Sequence, residues 1–313
     1  DLGDLVKQAD ATLALKMYNK ANCYSKVIAC FVEQQQYDKI LAYAQRVGYT
    51  PEWTGILQNM AVLNPEGAVR LAQMLVNQEG GSKIDIAAVA EIFLQRNMLQ
   101  QSTSFLLDAL KNNRPEEAAL QTKLLEINLR AAPQVAEAIM SNGMLTHYDR
   151  ATVGSLCERA GLHQRALEHY TDLKDLKRVI IYSSQMSPDF LLEWFGSLDT
   201  QWALELLKEM LSKDLRSNLQ ICVQVATKYS EFMTPVALMG IFEEVKSMEG
   251  LYYYLGAIVN FSQDPDVHFK YIQASAKTGQ IKEVERITRE SNFYDPEKAK
   301  VFLMEAKLPD ARP

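Results

Sequence analysis

Asp264-Pro265-Asp266-Val267-His268-Phe269-Lys270-Tyr271-Ile272 opens the stretch on which the reading of the fold turns. Asp264 is a residue type that caps helix N-termini. Pro265 would stand at the first helical position, where its missing N–H has no intrahelical partner to lose. Asp266 follows, where a carboxylate suits the positive end of the helix dipole. Residues 272–286 then read as a helix end, a short polar turn centred on Gly279, and a new apolar stripe. Start, stop and restart within one short segment describe a helical hairpin.

The same punctuation recurs outward from this segment. Thr50-Pro51, Asn64-Pro65, Ser187-Pro188, Thr234-Pro235 and Asp295-Pro296 each pair a capping residue with proline. Glu52, Glu66, Asp189 and Glu297 follow four of them. Pro115 and Pro133 also precede helical patterns, which leaves only Pro309 and Pro313, both in the terminal tail. Apolar stripes at i, i+3, i+4, i+7 fall on Ile86, Val89, Ala90 and Phe93, on Thr103, Leu106, Leu107 and Leu110, on Ala132, Val135, Ala136 and Ile139, and on Leu219, Cys222, Val223 and Ala226. Each such stripe puts one helix face into a core. No convincing alternation of period two is found, and the apolar runs at 179–182 and 251–255 sit inside longer helical patterns.

Residues 30–44, 93–107, 156–170 and 272–286 share the helix–turn–helix reading. Their turn centres, Gln35, Met98, Gly161 and Gly279, are separated by 63, 63 and 118 residues, the last interval close to twice the first two. The expected fold is all-α: an α-solenoid, or superhelix, of roughly twenty helices stacked as antiparallel hairpins. The loosest stretch, 77–83 with Gly80-Gly81-Ser82, is expected to be a long inter-helix loop.

Composition agrees and narrows the function. The 313 residues are 48% hydrophobic and 23% charged, with only 14 glycines and 10 prolines, a balance suited to folded helices. A net charge of −6 argues against a nucleic-acid binder, which must neutralise phosphates with a basic face. The densest basic group, Lys174, Lys177 and Arg178, reads as a solvated helix face. Cys23, Cys30, Cys157 and Cys222 show no metal-ligand or disulfide-framework spacing and are expected to be reduced core thiols. Asn260-Phe261-Ser262 is treated as a chance sequon. The longest uncharged run, 250–263, is too short for a membrane span, residues 1–10 lack a signal pattern, and the sequence begins in mid-pattern, as an excised piece of a longer protein would.

No arrangement for chemistry emerges. His163 and His169 are six residues apart, on different helix faces, and together with His147 and His268 they form no zinc pattern; both are read as surface or turn histidines. Gly80-Gly81-Ser82-Lys83 lacks the Walker spacing. Glu116-Glu117 and Glu243-Glu244 are adjacent carboxylates expected to be solvated. The aromatic set Tyr252-Tyr253-Tyr254, near Trp194, Phe195 and Trp202 in the chain, is read as packing. Consecutive residues diverge by about 100°, so at most two of the three tyrosines enter a core. No catalytic, cofactor-binding or metal residue is expected, and no residue is nominated for partner contact.

Several continuous stretches resemble the clathrin heavy-chain family. They are Phe105-Leu106-Leu107-Asp108-Ala109-Leu110-Lys111-Asn112-Asn113-Arg114-Pro115, Thr146-His147-Tyr148-Asp149-Arg150-Ala151 and Gln164-Arg165-Ala166-Leu167-Glu168-His169-Tyr170-Thr171-Asp172-Leu173. Further on come Asn218-Leu219-Gln220-Ile221-Cys222-Val223-Gln224-Val225-Ala226 and the segment from Asn260 to Ile272. The resemblance implies a leg of α-helical zigzag repeats. This piece would lie at the start of the distal leg: 1–25 as helices continuing from a preceding ankle region, 26–173 as one heavy-chain repeat, and 177–313 as most of a second. It implies a stiff strut packing with other legs in a polyhedral lattice, on the cytosolic face of coated pits and vesicles. By the same resemblance, trimerisation and the binding of light chains and adaptors would belong to regions of the family absent here. Neither nucleic acid nor direct membrane insertion is implied. Residues 76–88 depart from the animal pattern, so lineage-specific surface contacts are not carried over.

Two other readings compete. An α-solenoid adaptor or tethering-complex subunit would present polar residues recurring at the repeat spacing, and none are found. An enzyme on an α/α scaffold would be revived by a metal or cofactor bound to the purified protein.

Overall fold

The computed structural model describes residues 2–78 and 83–306. Gly80-Gly81-Ser82, Pro309 and Pro313 lie outside the described residues. Among the described residues there are twenty-two α-helices and no strand. The chain divides into two compact units, Asp1–Leu156 and Cys157–Pro313.

Unit 1 comprises α1 (Leu2–Lys7), α2 (Ala11–Lys20), α3 (Tyr24–Glu33), α4 (Tyr37–Val47), α5 (Trp53–Leu63), α6 (Pro65–Val76), α7 (Ile86–Leu94), α8 (Leu99–Ala109), α9 (Ala118–Ala131) and α10 (Pro133–Ser141); the division falls within α11 (Arg150–Arg159). Unit 2 holds α12 (His163–His169), α13 (Leu173–Ile180), α14 (Pro188–Phe195), α15 (Thr200–Lys213), α16 (Leu215–Lys228), α17 (Ser230–Met233), α18 (Pro235–Glu244), α19 (Met248–Ile258), α20 (Pro265–Lys277), α21 (Ile281–Glu290) and α22 (Pro296–Glu305). In both, a helix packs on its chain neighbour and on the helix two or three further along. In unit 1, α4, α6 and α8 make one row and α5 and α7 the other; in unit 2, α13, α15 and α18 face α14, α16 and α19. Each unit is an α-solenoid stack of antiparallel hairpins. Because a helix inside the stack is flanked on two sides, its buried face is wider than one stripe.

One turn is used repeatedly. At Asn22, Gln35, Asn97, Gly161, Lys246 and Gly279 the backbone is left-handed, with φ between +54° and +77°. In all six the next residue's N–H donates to the carbonyl five residues back, at 2.8–3.0 Å. The left-handed residue's own N–H donates three residues back. This is a Schellman closure, which satisfies carbonyls that the ending helix would otherwise leave unpaired. A new helix begins two residues after each left-handed position. Relative to that position, the residue four before and those five and eight after are buried in all six turns. In three of the six the residues at minus four and plus eight face each other as aromatic pairs: Phe31 and Tyr43 with ring centroids 5.8 Å apart, Phe93 and Phe105 at 6.1 Å, and Phe242 and Tyr254 at 5.8 Å.

Ser275 occupies the minus-four position of the last such turn. It is fully buried, and its hydroxyl is without a hydrogen-bond partner. A buried unpaired hydroxyl costs desolvation free energy that nothing returns. Ser275→Ala is therefore expected to stabilise the protein by about 1 kcal/mol, read as a higher urea midpoint; a lower midpoint would mean that the hydroxyl has a partner.

Several sequence expectations are corrected. Pro65, Pro133, Pro188, Pro235, Pro265 and Pro296 do begin helices, and Pro115 begins a 3-10 turn ahead of α9. Pro51 does not. Glu52 caps α5 by accepting the Gly55 N–H at 2.6 Å, so the helix starts at Trp53. Thr234 precedes Pro235 at φ +64° and contributes no side-chain cap. The second turn centre is Asn97 rather than Met98. Val135 is exposed, and Met140 is buried in its place. In α16 the buried face runs through Asn218, Ile221, Cys222, Val225 and Ala226, one residue out of register with the expected stripe. The helices are also more varied in length than expected, from 4 to 14 residues.

Candidate interaction surfaces

Catalysis needs several polar groups converging in a cleft, so the clefts come first. One, of about 660 Å³, lies between α3 and α5, walled by Ile28, Val32, Tyr49, Ile56 and Val62 with Glu33 and Glu52 at its edge. Both carboxylates are already engaged: Glu33 pairs with Lys7 at 2.6 Å, and Glu52 caps α5. A second, of about 670 Å³, runs beside α8 between α6 and α9, with Leu107 and Val135 in its walls. Thr103 and Asn128, both buried, are hydrogen-bonded to each other at its floor, and the Asn128 amide also donates to the Leu124 carbonyl at 2.9 Å. These are satisfied polar groups inside apolar walls. No group of three or more His, Cys, Asp or Glu that could hold a metal exists among the described residues.

The histidines singled out in the sequence go four separate ways. His147 is exposed in the segment before α11, where its N–H donates to the Gln121 side chain at 2.9 Å. His163, half-buried at the start of α12, stacks on Tyr182 with centroids 4.3 Å apart. His169 is not a surface residue. It sits at the plus-eight position of the Gly161 turn, equivalent to Phe105 and Tyr254, and its Nδ1 lies 2.6 Å from the Arg165 carbonyl. His268 is buried in α20. Its Nε2–H donates to the Ser262 carbonyl at 2.8 Å and its Nδ1 is hydrogen-bonded with the Ser291 hydroxyl at 2.9 Å, so the ring ties the segments before α20 and after α21 together.

The remaining expectations divide. Cys30, Cys157 and Cys222 are buried thiols and Cys23 is half-buried, none of them in a disulfide; burial pushes the Cys30 and Cys222 thiols up, away from reactivity. Of the three tyrosines, Tyr254 is in the core, Tyr253 is exposed, and Tyr252 stacks on Tyr271 at 5.7 Å. Two charged groups are exposed or half-exposed, as a solvated face would be, and are also paired. Glu243 pairs with Lys270 of α20, and Glu244 with Lys208 of α15. Lys177 pairs with Glu205, while Arg178 donates to both Glu158 oxygens, at 2.7 and 2.8 Å, and to Asp175 at 2.6 Å.

Around Arg178 the electrostatics are structural. Its guanidinium holds the Glu158 carboxyl below the ordinary range, with the Tyr170 hydroxyl adding to the effect. Burial, and then the bond to Glu158, pushes Tyr170 up to about 12. Burial also lowers His163, against a weaker pull from Glu158. A lowered folded value means that the unfolded chain takes up this proton first, so stability is full above about 6.5 and declines as pH falls through the folded value. His163→Phe, which keeps a ring over Tyr182, is expected to show a smaller loss of urea midpoint between about pH 7.5 and pH 5.5 than the parent. An equal loss in both would contradict this assignment.

No helix among the described residues is long and apolar enough to cross a membrane. The family model described as "Clathrin: Region in Clathrin and VPS" matches residues 77–219 and 226–313. The chain is 56% identical to clathrin heavy chain 2 of Oryza sativa subsp. japonica over 313 residues, covering all of this chain and 18% of that protein. It is 56% identical over its whole length to the clathrin heavy chain of Drosophila melanogaster and to clathrin heavy chain 2 of Homo sapiens, covering 19% of each. The chain thus spans about a fifth of the length of the curated relatives it matches.

Proposed function

The chain belongs to the clathrin heavy-chain family, and from that premise we propose that it is a structural leg segment of a clathrin coat. The observation that carries the reading is identity of 50–56% along all of its residues to heavy chains of plants, fly, human and a slime mould. Resemblance confined to a site would suggest borrowed chemistry. Resemblance spread over every hairpin suggests that the stacked helices are themselves the working part.

The physics suits that role. Contacts in a hairpin stack are local, so load is shared over many small interfaces. Large exposed apolar side chains such as Leu63, Phe232 and Phe261 lie on separate elements, as suits a lattice of individually weak contacts that must also come apart. The partners in this reading are other heavy-chain legs, during vesicle formation in endocytosis and in trans-Golgi and endosome traffic, on the cytosolic side of the membrane. Residues 26–173 and 177–313 would serve as successive repeats. No catalytic step enters the reading.

The test exchanges parts. In fly cells depleted of their own heavy chain, a Drosophila heavy chain carrying this sequence in place of its matching stretch is expected to restore receptor-mediated uptake. Normal expression and membrane recruitment without uptake would sink the proposal.

A further inference from the structure

Charged residues on the surface of unit 2 form a chain of their own. Along one row of unit 2, Arg178 of α13 binds Glu158 of α11, and Lys177 of α13 binds Glu205 of α15. One turn further along α15, Lys208 binds Glu244 of α18, and the neighbouring Glu243 binds Lys270 of α20. Five helices are thus tethered in succession by four ion pairs. Both members of each like-charged neighbour pair, Lys177 with Arg178 and Glu243 with Glu244, turn to different helices.

That pattern has a consequence beyond four separate surface bridges. An isolated exposed pair contributes little, whereas a connected network contributes more. Here adjacent like charges are tolerated because each is matched from outside, so losing one partner leaves an uncompensated repulsion beside the next link. Such links are coupled rather than additive. They are also open to screening: the lysines and glutamates of the three links from α13 to α20 are 34–58% exposed, and the screening length shortens from about 10 Å at 0.1 M salt to about 3 Å at 1 M. In unit 1 the comparable row is joined through amides. Gln45 of α4 bonds Gln78, just beyond α6, at 3.1 Å, and Asn77 bonds Asp108 of α8 at 2.8 Å.

We propose that the ion-pair chain makes unit 2 a salt-tunable element, in which ionic strength sets how readily α18 and α20 open away from the row, while the α4–α6–α8 row of unit 1 is largely indifferent to salt. The inference concerns this chain's own mechanics and stands apart from the coat reading.

Hydrogen exchange of the whole chain, followed by mass spectrometry at about 20 mM and about 0.5 M NaCl, tests it. Amides of α18 and α20 are expected to exchange about fivefold faster at high salt, with α4, α6 and α8 changing less than about twofold. In the double variant Glu243→Gln, Glu244→Gln, α18 and α20 should exchange at the fast rate in both salts. Swapping one link, Lys208→Glu with Glu244→Lys, should bring back slow exchange and its salt dependence, which separates lost charge pairing from a generally loosened fold. Equal acceleration in α4, α6 and α8, or a double variant that keeps the parental salt response, would overturn the proposal.

Discussion

Phe105→Ala is expected to destabilise unit 1 by about 3–5 kcal/mol. The side chain is fully buried, and so is Phe93, its partner across the Asn97 turn at 6.1 Å. Alanine removes the ring and leaves a cavity that α7 and α8 cannot readily close, since α8 is held by α6 on one side and α9 on the other. Both the lost transfer free energy and the void then count against the fold. Long hairpin arrays depart from two-state behaviour, so the loss is best read as faster hydrogen exchange localised to α7 and α8 together with an earlier urea transition. Phe105→Leu, which fills much of the space, should cost about 1–2 kcal/mol. Similar losses for both substitutions would mean that the pair is not the lock between these two helices.

The second large effect is polar. Asn218 in α16 is buried; its Nδ2–H donates to the Met210 carbonyl at 2.9 Å, and its Oδ1 accepts from the Ser183 hydroxyl at 2.8 Å. Asn218→Ala leaves a buried carbonyl and a buried hydroxyl without these bonds and is expected to cost about 3 kcal/mol. Removing both partners is less damaging than removing one. The double variant Asn218→Ala, Ser183→Ala should therefore be less unstable than the sum of the two single variants, by about 1 kcal/mol. Simple additivity in urea titrations would show that the two side chains do not act as a pair.

These two sites mark where the sequence was legible and where it was not. Helix starts were readable because proline and the caps act within a few residues: Asn64 accepts the Gly67 N–H, and Asp295 those of Glu297 and Lys298. Turn positions were nearly readable, and Gln35, Gly161 and Gly279 are left-handed as their setting required. The repeat itself looked weak because geometry recurs while residue type does not. Glycine, asparagine, glutamine and lysine all occupy the left-handed position, and the plus-eight site holds Cys30, Tyr43, Phe105, His169, Tyr254 and Ile287. A search for apolar residues twelve apart across a polar turn would have found Phe31 and Tyr43, Phe93 and Phe105, and Phe242 and Tyr254. The same spacing, counted from Cys157, falls on His169.

Single-stripe patterns misplaced Val135 and passed over Ile221 and Val225, because they assume one buried face where these helices have two neighbouring rows to cover. The ion pairs were hidden for a different reason. Glu243 and Lys270 are 27 residues apart, and Lys208 and Glu244 are 36, so their meeting depends on the stacking rather than on any local pattern. Adjacent like charges read as solvated faces until the helices on either side are in place.

The proposed role requires these hairpins to serve as an interchangeable structural segment of a clathrin coat. Its most direct test is assembly in vitro. A purified heavy chain in which this sequence replaces the matching stretch should sediment as closed cages under conditions where the unaltered heavy chain does, and electron microscopy should show lattices of the same edge length. A chimera that folds, as judged by its helical content, yet stays in the supernatant as unassembled protein would contradict that role.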